Sequence, residues 1–472
     1  MLEAASPSLP AAVLYPVTAL LLVLLVRAMG KTPHASGKLL LAIIWLRFVM
    51  QAYHEITFTS VGGVSINALA SVAVCVIGGV ILFRQLPQLG RFPILLALVG
   101  VIAISGIANG VLMPTIETTV KWGYFAVVLL AIQDCIRRDG DARILSLLLW
   151  SFAPPLVFQL LSFGLGVGKA TETDGSISYV GGYNHESAFS IVLVTCFAVA
   201  SIAPRLSPVV RLSLLGVCLV GIFAANYRTS LIALAPIAFG YFVFGAARSA
   251  GKDSRVLVSL VGLLVMSGAI VAANMMMADR LTDLSTVASG SGDLIRPPEE
   301  FTVSERQLMS GRLYLWNAYF DEYRAGSDVN LLLGNGADSW VDVFGLYAHN
   351  TLVSYLYEFG IAGTFLIIVV WLAMIVRALR IRDWALRGQL VCCHIGFILL
   401  NMATMPFWQV EGLILYGLLC GYTYSASLIP AAQAAPPVAR QRMTASSRRR
   451  LVAQRSRVRL RANAAVPAEP PS

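Results

Sequence analysis

The chain has 472 residues, of which 57% are hydrophobic and 13% charged, and its formal net charge is +10. Soluble domains carry about 25% charged residues, so this composition excludes a soluble multidomain enzyme. The high apolar content also excludes a disordered protein and leaves a polytopic membrane protein.

Apolar runs of membrane-spanning length follow one another along the chain. Pro154 and Pro155 fall inside the sixth run and should kink or break it. The pattern predicts an all-α polytopic fold with about 12–13 transmembrane helices. The thirteen runs lie near 11–27, 39–57, 64–83, 92–113, 119–136, 144–167, 187–204, 209–226, 229–247, 256–277, 359–377, 388–406 and 411–427.

The loops between the runs alternate in charge, which predicts their sides of the membrane. By the positive-inside rule, the basic loops are cytoplasmic and the others are external. The external loops near 58–63, 114–118, 168–186 and 407–410 carry only Lys169. Seventeen Lys or Arg lie in six short loops, 27–38, 84–91, 137–143, 205–211, 248–255 and 377–387.

The last forty residues hold nine arginines and one acid, Glu469. We predict a disordered cytoplasmic tail, held at the anionic inner leaflet by membrane lipids. Nucleic acid is not a predicted partner, because no interleaved aromatic residues or nucleic-acid-binding fold accompany the arginines. The predicted organisation is an N-terminal transmembrane bundle (1–277), an external loop (278–350), C-terminal transmembrane helices (351–428) and the tail (429–472).

The external loop is a polar insert of about seventy residues, with eleven acids and five arginines. Within it, the mixed apolar and charged pattern over Thr302–Arg324 predicts an amphipathic helix. Ser289–Asp293 and Pro297–Pro298 are loop signals. The loop is large enough to cover a site at the external membrane face.

Two arginines are candidates for binding an anion. Arg228 lies in the short turn Asn226–Ser230 between two apolar runs, and Arg312 lies in the loop helix. The guanidinium fork matches phosphate geometry. The alternatives are an interfacial anchor for Arg228 and a solvated charge for Arg312.

His349 lies where the loop re-enters the membrane, and a neutral histidine there is a natural general base. The alternative is an interfacial histidine without a role. Glu358 is nine residues further, on nearly the opposite side of an ideal helix, so we expect no contact with His349. Asn350 could cap the following helix or bind substrate, and the small, polar stretch Gly181–Glu186 suits either a backbone anion site or a cap. The possible substrate-binding residues are Asn184, His185, Asn350, Tyr227 and Trp316.

Asp139-Gly140-Asp141 has the form of a metal-bound sugar-nucleotide motif, but it lies in a small loop predicted to be cytoplasmic, where a charged turn is the simpler interpretation. The sequence contains no phosphate-loop lysine motif and no histidine or cysteine spacing typical of zinc ligands. We therefore predict no metal and no cofactor.

The combination of a short arginine turn, a large late external loop, Gly334-Asn335-Gly336, His349-Asn350-Thr351-Leu352 and Glu358-Phe359-Gly360 resembles the superfamily of O-antigen ligases and O-antigen polymerases. Members usually have about twelve spans, one fewer than the runs here. The resemblance implies a metal-independent, GT-C-type glycosyltransferase in the bacterial inner membrane, with its active site facing the periplasm.

For a ligase of this superfamily, the resemblance implies two lipid substrates. The donor is O-antigen linked to undecaprenyl diphosphate, and the acceptor is a sugar hydroxyl of lipid A-core. His349 would take the acceptor proton, while Arg228 and Arg312 would stabilise the departing diphosphate. A single displacement would invert the anomeric centre.

Several other functions remain open. An O-antigen polymerase and a protein O-oligosaccharyltransferase would use the same donor. A transporter of lipid-linked glycans would need paired charges within the membrane and internal repeats. Neither is evident, since charges inside the runs are few (Arg47 and Lys121). A membrane scaffold would give no reason for Arg228 and His349 to share one membrane face.

Overall fold

A computed structural model describes residues 7–170, 177–246, 254–276, 296–303 and 305–428. The described residues up to Ser427 belong to one compact unit. The predicted tail 429–472 and the loop signal Ser289–Asp293 lie outside the described residues.

The N-terminal part of the chain is a series of helices joined by short turns. Two connections contain short antiparallel hairpins, Ser60–Val61 (β1) with Val64–Ser65 (β2) and Lys169–Ala170 (β3) with Ile177–Ser178 (β4). These strands are too short for sequence periodicity to reveal them. The helices are α1 (Ala11–Gly30), α2 (Ala35–Ala52), α3 (His54–Thr57), α4 (Ile66–Ile81), a 3-10 segment (Phe83–Arg91), α5 (Pro93–Ala108), α6 (Leu112–Asp139), α7 (Asp141–Leu148), a 3-10 segment (Leu149–Phe152) and α8 (Ala153–Gly164).

The second part continues the helical pattern and contains the loop helices. A π-helical segment, Gly240–Gly245, extends the third helix of this part. The helices are α9 (Glu186–Ile202), α10 (Pro208–Ala224), α11 (Arg228–Phe239), α12 (Arg255–Met276), 3-10 segments (Pro298–Glu300 and Glu305–Gly311), α13 (Arg312–Arg324), α14 (Asp328–Leu333), α15 (Trp340–Phe344), α16 (Thr351–Leu379), α17 (Trp384–Ala403), a 3-10 segment (Pro406–Trp408) and α18 (Val410–Ser427).

Within the described residues, six helices are long and apolar enough to cross a membrane: α1, α2, α6, α7 with α8, α16 and α17. A seventh candidate is α4 with the 3-10 segment after it, a pair bent by 98°. Further apolar helices of 10–17 residues cover Pro93–Ala108, Glu186–Ile202, Pro208–Ala224, Thr229–Gly245 and Arg255–Leu264. The architecture is compatible with an all-α polytopic membrane protein.

The sixth apolar run changes helix type next to the two prolines. A 3-10 segment ends at Phe152, and α8 then starts with Pro154 in its first turn. Proline lacks an amide hydrogen and is best accommodated in the first turn of a helix. The predicted kink or break is thus a short 3-10 interruption, and Asp141–Gly164 as a whole is still one candidate span.

The amphipathic helix predicted over Thr302–Arg324 is shorter in the structure. Its first part is a 3-10 segment, and α13 begins only at Arg312, because Gly311 adopts a left-handed backbone with φ of 77°. The apolar face behaves as predicted: Tyr319 is buried, and its ring centre lies 5.3 Å from that of Tyr357 on α16. The loop helix thus packs directly on the helix that follows His349.

Candidate functional site

The end of the loop 278–350 is held against α16 by backbone hydrogen bonds. The amide of Asn335 donates to the Tyr357 carbonyl (2.9 Å), and the amide of Gly336 donates to the Glu358 carbonyl (2.8 Å). The Glu358 carboxylate accepts from the Asp338 amide (3.0 Å). The two glycine-containing segments that carry the family resemblance therefore lie against each other.

Two glycines make this close approach possible. Gly360 has φ of 63° and interrupts α16, and Gly334 has φ of 77°. A Cβ on Gly360 would lie 2.4 Å from the carbonyl oxygen of Leu332, and a Cβ on Gly334 would lie 2.2 Å from the Phe359 amide nitrogen. Only glycine fits both the backbone angles and the space. These glycines shape the backbone that leads to His349.

Both the backbone and the side chain of Glu358 take part in the hydrogen bonds between the loop end and α16. Its carboxylate accepts from the Ser354 hydroxyl (3.0 Å) as well as from Asp338, and its carbonyl also accepts from the Ser105 hydroxyl (3.1 Å). The side chain is fully buried. These contacts join Glu358 to the loop and to neighbouring helices and not to His349, in line with the expectation from helix geometry.

His349 is held in an uncommon backbone conformation, with φ of 53°. The preceding carbonyl, of Ala348, accepts from the indole nitrogen of Trp316 (2.6 Å). The following Asn350 caps α16 through the Leu352 and Val353 amides, and its amide nitrogen donates to the Met402 carbonyl (3.1 Å). A left-handed non-glycine residue persists only where its surroundings fix it. Trp316 and Asn350, predicted as possible substrate contacts, thus position His349 from both sides.

The surroundings of His349 favour its neutral form. Burial lowers the pKa of His349 from its usual value to about 4, and the positive charge of Arg312 contributes further. The Tyr347 ring lies 4.1 Å from the imidazole, between centres. Nδ1 is buried, without a hydrogen-bond partner among the residues that the structure describes. At neutral pH this imidazole can accept a proton.

Tyr227 joins a second segment to the site. Burial raises the pKa of the Tyr227 phenol well above its usual range, and the nearby Tyr347 raises it further. The nearby Arg312 charge and Ser187 side chain oppose that shift. Arg228 follows at once as the first residue of α11, but its side chain lies outside the described part. Residues 227, 312 and 347–349 therefore lie close to one another.

The stretch 181–186 contributes a cap and not an evident anion site. Nδ1 of His185 accepts from the Ser187 amide (3.1 Å) and so caps α9. Its Nε2 lies 3.1 Å from the Tyr347 hydroxyl. Lys169 donates to the Asn184 carbonyl (3.1 Å) and pairs with Glu186 (3.3 Å). Sequence reasoning misses the roles of Tyr347 and Lys169, since neither stands in a recognisable motif.

A cavity of about 550 Å³ adjoins these residues. His185 and Tyr347 line it, and the side chains of Trp340 and Trp408 form aromatic walls. Residues of α4 and α6 with exposed apolar side chains, including Val72 and Met113, form another wall. Such a mixed lining suits an amphiphilic ligand.

The far part of the cavity holds a buried ion pair. Nε of Arg47 lies 2.6 Å from a carboxylate oxygen of Glu411, which also accepts from Gln51 (2.7 Å). Arg47 is 8% exposed and Glu411 is 1% exposed. The expectation that the apolar runs contain no paired charges is therefore wrong. The partners lie 364 residues apart, and no spacing rule connects α2 with α18.

Neutralising Glu411 should strongly destabilise the protein. Glu411→Gln leaves the Arg47 charge buried without a counter-charge, which costs about 3–5 kcal/mol. We expect a clear fall in the thermal unfolding temperature of the purified protein in detergent. Glu305→Gln, which breaks the more exposed pair with Arg296, should cost at most about 1 kcal/mol. A double variant, Arg47→Met with Glu411→Leu, should recover most of the loss. If it is no more stable than Glu411→Gln, the unpaired charge is not the cause.

Within the described ranges, no group of three or more His, Cys, Asp or Glu side chains is arranged to hold a metal ion. Comparison with known proteins adds no family: no family model matches the chain, and no curated protein matches it.

Proposed function

We propose that the protein is an O-antigen ligase. It transfers O-antigen polysaccharide from undecaprenyl diphosphate to a sugar hydroxyl of lipid A-core, in the periplasmic leaflet of the inner membrane. The fold would be of GT-C type, with about 12–13 spans and the loop 278–350 in the periplasm. One observation carries the proposal: a neutral, rigidly held His349 lies within electrostatic reach of Arg312, beside a cavity suited to an amphiphile.

The proposed reaction is a single displacement. The acceptor hydroxyl oxygen forms a bond to the anomeric carbon while the bond from that carbon to the diphosphate oxygen breaks, with inversion. His349 takes the hydroxyl proton. The undecaprenyl diphosphate leaves with an added negative charge, which Arg312 and Arg228 stabilise. Preorganised donors of this kind contribute about 3–4 kcal/mol each.

In this proposal, Arg312 binds the diphosphate of the donor and also lowers the pKa of His349. A histidine with a pKa of about 4 is a weak proton acceptor, because the optimum for a general base lies near the working pH. A diphosphate bound at Arg312 would offset the guanidinium charge and thereby raise the pKa of His349. His349 would then become a stronger base only when the donor is in place.

This coupling predicts the pH dependence of the transfer. The neutral imidazole is active, so kcat/KM, which reports the free enzyme, should be lost as pH falls through about 4. In Arg312→Gln the repelling charge is absent, so the acid limb should move towards the ordinary histidine pKa of about 6.5. The rate should also fall. A pH profile of both proteins with purified lipid substrates measures this; a wild-type limb near 6.5, or one unmoved by the substitution, would contradict the coupling.

The function is tested by the lipopolysaccharide of a host from which the gene is deleted. A ligase predicts bare core, glycan accumulating on its lipid carrier, and rescue of the ladder by wild type only, not by His349→Ala. A core with a single repeat unit would indicate an O-antigen polymerase instead. An unchanged ladder together with unglycosylated proteins would indicate a protein O-oligosaccharyltransferase.

A lipid-linked glycan transporter is the second candidate, favoured by the buried pair of Arg47 and Glu411 in the cavity. Paired charges within membrane segments are common in transporters. Detergent micelles have no second compartment, so they separate the two functions. A ligase forms glycosylated lipid A-core there from purified donor and acceptor, whereas a transporter forms none.

A further inference from the structure

A second cavity lies at the opposite end of α16 from His349. It has a volume of about 230 Å³, and its basic residues are Arg91, Arg377 and Arg380. Arg377 lies in the last turn of α16, about 25 Å beyond the interruption at Gly360 at the helical rise per residue. We name it the arginine cavity. It is separate from the proposed catalytic site.

Tyr424 of α18 organises two of the arginines. The guanidinium carbon of Arg377 lies 4.0 Å from the centre of the Tyr424 ring, and Nε donates to the Ser427 hydroxyl (3.0 Å). Arg91 donates to the Tyr424 hydroxyl (3.4 Å). All these partners are neutral. They fix the direction of the guanidinium groups without cancelling their charge.

All the charged residues that line the arginine cavity are positive. Its lining, taken over the described chain, contains three arginines and no Asp or Glu. Like charges around one concavity repel each other, so an anion bound between them is stabilised by all three. The planar guanidinium fork matches the oxygens of a phosphate.

The remaining wall is apolar and continuous with the outer surface of two helices. Ile94 and Leu95 of α5 and Met374 of α16 line the cavity. Val376, which also lines the cavity, and the nearby Leu379 are 48% and 52% exposed on α16. Because α16 is a candidate membrane span, these side chains would face acyl chains. The site therefore joins a phosphate-binding concavity to a lipid-facing surface.

We propose that the arginine cavity binds the phosphodiester headgroup of an anionic membrane phospholipid, with the acyl chains lying along α5 and α16. Basic pockets between membrane helices are a recurring form of headgroup site. The positive-inside rule places the loops 84–91 and 377–387 in the cytoplasm, so the lipid would belong to the inner leaflet. The proposal does not depend on the function of the external site.

The test measures binding of a fluorescent phosphatidylglycerol to the delipidated, full-length protein in neutral detergent. The variant Arg91→Gln/Arg377→Gln/Arg380→Gln should bind at least about ten-fold more weakly. Its matched control, Arg27→Gln/Arg84→Gln/Arg205→Gln, removes three exposed arginines outside the cavity and should bind like wild type. Phosphatidylcholine with the same chains should not compete, nor should millimolar inorganic phosphate.

Each other outcome overturns the proposal. Equal loss in both triple variants would mean diffuse charge attraction, and competition by phosphatidylcholine would mean apolar contact alone. Competition by inorganic phosphate at the lipid's own concentration would mean a site for free phosphate. If the triple variant does not fold, Arg380→Gln alone changes only an exposed side chain and should still weaken binding several-fold; unchanged binding would count against the cavity.

Discussion

Replacing His349 with alanine should lower the rate of glycan transfer by about 10²–10⁴-fold, the usual contribution of a general base. The imidazole is the proton acceptor in the proposed displacement, and its pKa of about 4 keeps it neutral at physiological pH. Transfer is measured with purified donor and acceptor in detergent. The unfolding temperature of each variant is measured in parallel, so that loss of chemistry is distinguished from loss of fold.

The backbone at this position calls for a specific control. His349 has φ of 53°, a conformation that costs any residue with a Cβ about 1–2 kcal/mol, so alanine keeps a cost that the histidine already carries. His349→Gly removes the imidazole together with that strain. If the imidazole is the base, alanine and glycine lower the rate equally, and added imidazole partly rescues the glycine variant. His34→Ala, at the end of α2 beside Asp139, should leave the rate unchanged. Normal transfer by His349→Gly would rule out the proposed base.

The features of the fold that depend on a few neighbouring residues can be predicted from the sequence. Apolar runs of spanning length identify the helices, because backbone groups in a bilayer must be satisfied within the segment. The 3-10 interruption next to Pro154 follows from the missing amide hydrogen. Of the two roles predicted for Asn350, the structure shows the cap, since asparagine accepts hydrogen bonds from the first helical amides. Each of these inferences needs only a few neighbouring residues.

Contacts between distant segments are what the sequence alone does not reveal. Arg47 is visible as a charge in an apolar run, but its partner Glu411 lies on the last helix. Likewise, Tyr347 approaches His185 across 162 residues. Neither pair has a spacing that a helical or strand period could reveal. The candidate site is therefore predictable as a set of residues, but not as a set of contacts.

The glycine motifs can be interpreted only once the backbone is seen. Gly334-Asn335-Gly336 and Glu358-Phe359-Gly360 belong to the motifs that carry the resemblance, and the sequence alone does not say what they do. In the structure their amides and carbonyls bond to each other. The glycines are needed for backbone approach. Their role in catalysis would be indirect, through the placement of the loop end that leads to His349.

This role gives the second large prediction: Gly360→Ala should destabilise the protein by about 3 kcal/mol or more. The backbone at Gly360, with φ of 63° and ψ of −167°, is one that essentially only glycine adopts and costs alanine about 1–3 kcal/mol, and overpacking against neighbouring atoms typically costs a further 1–3 kcal/mol. The new Cβ would lie 2.4 Å from the Leu332 carbonyl oxygen, a backbone atom that can move only with the loop. Thermal unfolding in detergent measures the loss, and transfer should fall with it, because displacement of the loop carries His349 away from Arg312.

Gly345→Ala is a control without the close contact. Gly345 has φ of 65° and ψ of −8°, the ordinary left-handed conformation, and a Cβ there would meet no atom of the described residues within 4 Å. Its alanine variant should therefore lose only the conformational cost of about 1–2 kcal/mol. If the Gly360 and Gly345 variants lose the same stability, the close approach of the loop to α16 contributes nothing. We expect Gly360→Ala to be much less stable than Gly345→Ala. We also expect a protease to cleave the loop near Leu332 more readily in the Gly360 variant. Both results together would show that the contact of the loop with α16 at Gly360 fixes the loop end.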